Sequence, residues 1–100
     1  MLAQLIRDNL TTPRRTVRRL RGGLVLIIYP RNGTYTHIVA TRQGVQPSDK
    51  ELAILRREIV VAVAEQPLVT VGQFERVEPR DGYHAAELWI NFAPVNEVNE

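Results

Sequence analysis

One hundred residues make a single domain with one core and leave no room for a second sizeable module, and 44% hydrophobic with 24% charged side chains is globular composition, which excludes a wholly disordered chain. Cysteine is absent, which excludes a disulfide framework, a thiolate metal site and a cysteine nucleophile. The formal net charge of +2 hides a split, because residues 1–42 hold eight arginines and one acid while residues 43–100 hold five basic and ten acidic side chains.

In chain order, Leu2, Leu5, Ile6 and Leu10 recur at helical spacing and predict a short amphipathic helix. Thr11 and Thr12 offer an N-cap, Pro13 suits a first helical position and Gly22-Gly23 a stop, so a second short helix is expected from about 13 to 21. On a helical wheel its arginines, Arg14, Arg15, Arg18, Arg19 and Arg21, fill one arc opposite Val17 and Leu20. The helix is too short to be stable alone, and its like charges repel.

From Leu24 the pattern becomes that of strands. Leu24 to Tyr29 and Thr34 to Arg42 flank Pro30-Arg31-Asn32-Gly33, and a two-residue turn at Asn32-Gly33 predicts a hairpin with Ile27 opposite Ile38 and Val25 opposite Ala40. Both faces of that hairpin are largely apolar, so each is expected to be covered, by the N-terminal helices or by another subunit. Ser48 and Glu51 form a capping box ahead of Leu52, Leu55, Ile59 and Val63, which predicts a helix from 49 to about 64. Its β-branched end, Ile59 to Val63, is compatible with helix or with the start of a strand. A second hairpin joins Leu68–Glu78 to Tyr83–Phe92 through Asp81-Gly82, with Arg76 opposite Glu87 and Phe74 opposite Trp89 as a packing pair rather than a base-stacking one. Its other face carries Val71, Val77, Ala86, Leu88, Ile90 and Phe92, with Glu75 as a misfit and a bulge near Gly72.

The expected fold is α+β in a single domain: an Arg-rich helical segment (1–23), a sheet-and-helix body (24–93) and a loose tail (94–100). In the body, hairpin, helix and hairpin form a mostly antiparallel four-stranded sheet with the helix packed on one face. No leader pattern stands at the amino terminus and no apolar run approaches a membrane span, so a soluble cytoplasmic protein is expected.

Residues 2–42, with the Thr11-Thr12 turn, the Arg15-Thr16-Val17-Arg18-Arg19-Leu20 run and the hairpin after Gly23, resemble the later part of a winged helix-turn-helix domain. The resemblance implies a recognition helix in the major groove, with Arg14, Arg15, Arg18 and Arg19 facing DNA, Val17 and Leu20 anchoring the helix, and Arg31 on phosphate at the hairpin tip. It covers under half of the chain, and the first hairpin strand departs from the family pattern in being apolar throughout.

Enzyme chemistry finds no support. His37 and His84 lie in predicted strands, Glu87 falls on the opposite face from His84, and no phosphate-binding loop, zinc-protease or nucleophile-elbow motif is present. No cofactor, metal or small-molecule site is expected. The first expectation is therefore a non-enzymatic nucleic-acid-binding accessory protein, with DNA or RNA phosphates held by Arg14, Arg15, Arg18, Arg19, Arg21 and Arg31. The alternative is a protein-interaction or structural module, homodimeric through an apolar sheet face, with its arginines paired to acidic protein surface. Twelve arginines against the single Lys50 suit planar anion recognition, and codon bias in a GC-rich genome produces the same ratio.

Overall fold

A computed structural model describes residues 2–92 of the chain. The expected tail, 94–100, lies outside them. The chain is α+β: helix α1 (Leu2–Thr11), strand β1 (Thr16–Arg19), a 3-10 turn (Arg21–Gly23), β2 (Val25–Ile28), β3 (Tyr35–Gln43), helix α2 (Asp49–Ala62), β4 (Val69–Val71), β5 (Glu75–Arg80) and β6 (Tyr83–Phe92). The sheet runs β1-β2-β3-β6, with β4 and β5 sharing the far side of β6, and every pair is antiparallel. It therefore has six strands where the sequence predicts four. One arises where a helix is expected, and the other because the strand expected at 68–78 is broken in two.

The helix expected at 13–21 is not formed. Its residues instead pair with β2, Thr16 opposite Ile28 and Arg19 opposite Val25. In a helix Arg14, Arg15, Arg18 and Arg19 would crowd one face at spacings of three and four. In a strand neighbouring arginines alternate between faces, which relieves that repulsion, and Thr16 and Val17 prefer extended backbone. Asn9, almost fully buried at the end of α1, donates from Nδ2 to the Arg14 carbonyl and to Thr16 Oγ1, drawing the chain past Pro13 in extended form. Gly22 and Gly23, both at positive φ, make the β1–β2 turn rather than a helix stop.

Two prolines set the registers. Between the Asn32–Tyr35 bridge and the Ile28–Ile38 pair, Pro30 and Arg31 oppose Thr36 alone, so the turn is Gly33-Thr34 and the register moves one residue from the expected one. Leu26 and Ile28 then share a face with Ile38 and Ala40. The second hairpin turns at Asp81-Gly82 as expected, both at positive φ, but Glu78 and Pro79 oppose His84 alone. A proline cannot donate to the ladder, and the chain answers with a bulge. A further shift at Gly72–Phe74 separates β4 from β5. Arg76 therefore faces Ala86 rather than Glu87, Glu75 joins Val77 on the opposite side of the sheet from the core, and Phe74 is not paired with Trp89.

Helix α2 extends through Ile59–Ala62, so that β-branched run is helical. Its capping box is present: Ser48 Oγ accepts from the Glu51 amide and Glu51 Oε1 from the Ser48 amide. Arg42 grips the same carboxylate through Nη1 and Nη2 at 2.8 and 2.9 Å and donates to the carbonyls of Val45 and Gln46. The Arg42 hydrogen bonds, then the Ser48 amide, lower the Glu51 pKa to about 2 from 4.5. A lowered carboxyl stabilises the fold above its unfolded pKa and loses that contribution as pH falls through the folded one. Glu51→Gln is thus expected to lower the melting temperature at pH 7, with the gap to wild type closing between pH 4.5 and pH 2. A gap independent of pH in thermal scans would contradict this role.

Both helices contribute to one core on one side of the sheet: Ala3 and Ile6 of α1, Leu52, Leu55, Ile59 and Ala62 of α2, and Leu26, Ile28, Ile38, Ala40, Ala86, Leu88, Ile90 and Phe92 of the sheet. Each large aliphatic buried there contributes about 1.5–3 kcal/mol. Thr36 sits in this core, and its hydroxyl has no hydrogen-bond partner among the described residues. Thr36→Val is expected to stabilise the protein by about 1 kcal/mol in urea denaturation, and a loss of stability would mean that the hydroxyl is bonded. Among the described residues no helix is long and apolar enough to cross a membrane.

Candidate nucleic-acid interface

Strand β1 is one margin of the sheet, and its outer edge has no strand partner among the described residues. With about 3.3 Å of rise per residue, Arg15 to Arg19 spread over roughly 13 Å of that margin. Arg21 continues the line in the β1–β2 turn, and Arg14 and Arg15 lie at the opposite end, where β2 leaves the sheet toward Arg31. The arginines therefore form a line along an edge rather than an arc of a helix. Val17 and Arg19 fall on the side of the sheet away from the helices, Thr16 and Arg18 on the helix side.

Three arginines of the body are engaged, while Lys50, Arg57 and Arg80, like Arg7 of α1, are exposed without an ion pair among the described residues. Arg42 holds Glu51, Arg76 holds Asp49 at 2.9 Å and the Pro47 carbonyl, and Arg56 donates to the carbonyls of Val71 and Gly72, fastening β4 to α2. Arg14, Arg15, Arg18, Arg19, Arg21 and Arg31 are all exposed, and none forms an ion pair among the described residues. Arg31 is nevertheless held in place. Its Nε donates to the Gly33 carbonyl at 3.0 Å and its guanidinium lies 4.2 Å from the centre of the Phe92 ring.

Among the described residues no element covers the face of the sheet away from the helices, its open face. It carries Val17, Val25, Ile27, Tyr35, His37, Val39, Val77, Tyr83, Ala85, Glu87 and Trp89 by strand alternation. Neither face of the first hairpin was expected to be bare. At the end of this face nearest Arg31, the His37 ring stacks between Trp89, 3.9 Å away and nearly parallel, and Tyr29 at 5.4 Å. Tyr35 meets Trp89 edge-on. His37 Nε2 lies 3.1 Å from Glu87 Oε2, which engages that carboxylate within the stack.

This ring cluster was missed in the sequence. The signal that would reveal it is the joint alternation of Tyr35-His37-Val39 and Glu87-Trp89 on facing strands, readable only once the register is known. His84 does not join the cluster, because it lies opposite Arg42 at the far end of β3. Comparison with family models, with curated proteins and with solved structures finds no match for this chain.

Proposed function

We propose that this is a non-enzymatic nucleic-acid-associated protein that holds phosphates along the β1 edge. The observation that carries this reading is the line of exposed arginines, Arg14, Arg15, Arg18, Arg19 and Arg21 with Arg31 beside it, none in an ion pair among the described residues. Guanidinium groups supply a fixed charge and a donor fork matched to phosphate oxygens. Charged residues on a sheet margin also discourage edge-to-edge pairing of strands, and that role needs no ligand. A helix in the major groove is not the means of binding, since residues 16–19 are a strand. Titration of labelled single- and double-stranded DNA and RNA at low salt tests the proposal, and no detectable binding would end it.

A second reading rests on a different observation. The open face exposes Val17, Val77, Tyr83 and Trp89, and its charges are asymmetric, with Arg19 at one margin and Glu75 at the other. A two-fold packing of two copies face to face would cover that apolar surface and oppose the unlike margins. Sedimentation showing a dimer that dissociates on Trp89→Glu would favour it.

A further inference from the structure

We infer that the groove at the aromatic end of the open face, lined by Tyr29, Arg31, Asn32, Tyr35, His37 and Trp89, holds an unstacked base of a single-stranded nucleic acid. The inference rests on the nucleic-acid reading and gives it a substrate class. The groove encloses about 430 Å³, within the ~300–1,000 Å³ range of small-ligand sites. Its walls are four aromatic rings together with Pro30, Arg31 and Asn32, and no carboxylate of the described residues lines it. Glu87, the nearest acid on this face, is engaged by His37.

Two features suit a nucleotide rather than an apolar side chain. First, Trp89, which lines the groove beside Tyr35 and His37, is 40% exposed, so a planar guest can lie against the rings without displacing packed side chains. Second, the pairing of Thr16 with Ile28 sets Arg15 next to Tyr29, which puts the start of the arginine line at this same end of the sheet. Arg31 borders the groove as well, with its guanidinium against Phe92 on the helix side. A strand with a base in the groove can therefore continue with its phosphates along β1. Duplex bases are stacked and paired and cannot enter.

Trp89 is the only tryptophan in the chain, so its emission reports on the groove alone. The full chain is titrated at low salt with an unlabelled thymidine dodecamer while Trp89 emission is followed. Affinities for the labelled dodecamer and for a labelled duplex are measured by anisotropy, for wild type, Trp89→Ala, Tyr35→Ala and Trp89→Phe. The expected results are quenching of Trp89 by the single strand, a roughly 5- to 150-fold loss of single-strand affinity in the alanine variants, partial retention in Trp89→Phe, and unchanged duplex affinity. Binding without any change in Trp89 emission, or equal losses for single strand and duplex, would overturn the inference and leave phosphate binding by the arginines intact. No binding of either nucleic acid overturns both. Shielding of Trp89 that grows with protein concentration alone would show a second copy on this face and also overturn the inference.

Discussion

Leu26→Ala is expected to destabilise the protein by about 2–5 kcal/mol, while Ile27→Ala, one residue along the same strand, is expected to destabilise it by about 1 kcal/mol. Leu26 is fully buried opposite Ala40 on the helix side, whereas Ile27 lies opposite Val39 on the open face and is only partly covered. The two side chains have nearly the same volume, so the difference reads which face each occupies. A register one residue away would exchange their environments completely. Urea denaturation of both variants decides it, and a larger loss from Ile27→Ala would contradict the Pro30–Arg31 bulge that sets the register.

The second large effect concerns affinity and not stability. If the five arginines of the β1 edge and Arg31 each neutralise a phosphate, the logarithm of the binding constant for single-stranded DNA falls with the logarithm of salt at a slope of about −4. Raising salt from 50 to 200 mM then weakens binding on the order of 10²-fold. Arg42 and Arg76 of the body are already committed to Glu51 and Asp49, and Lys50, Arg57 and Arg80, exposed but away from the β1 edge, are left out of this count. A shallow slope with tight binding would move the interface away from the arginines. Only in that case would apolar contacts on the open face have to carry it.

Local signals in the sequence that involve neighbouring residues survive in the structure. The capping box of Ser48 and Glu51, the helical spacing of Leu2 to Leu10, the Asp81-Gly82 turn and the break near Gly72 all depend on interactions within a few residues. The failures arise where a distant partner decides the outcome. Residues 13–21 have a helical wheel as tidy as that of α1, yet the apolar β2 needs a partner on its outer edge, and the ladder that Thr16–Arg19 supplies outweighs the local pattern. Each hairpin has the form Pro-Arg-Asn/Asp-Gly, and in each the proline requires a bulge that the Asn-Gly or Asp-Gly signal does not encode. A one-residue slip reverses faces, so the Arg76–Glu87 and Phe74–Trp89 pairs are lost together, and the His37–Trp89 stack spans β3 and β6, which no turn signal joins.

The candidate site was legible only as a list of residues. Charge marks Arg14, Arg15, Arg18, Arg19, Arg21 and Arg31, and charge is readable without a fold. Their arrangement was not readable, because a helix gathers them on one arc and a strand lays them along a margin. The arrangement matters for what they can bind. A line of cations beside an aromatic groove follows a single strand, while an arc on a helix fits the major groove of a duplex.

The most direct test of phosphate binding at the β1 edge is the salt dependence of single-strand affinity in the variant with Arg14, Arg15, Arg18 and Arg19 all changed to alanine. Removing four of the six proposed contacts is expected to reduce the log–log slope from about −4 to about −1.5 and to abolish most low-salt affinity. A variant that keeps the wild-type slope would contradict the account, because the charges that bind the phosphates would then lie elsewhere on the protein.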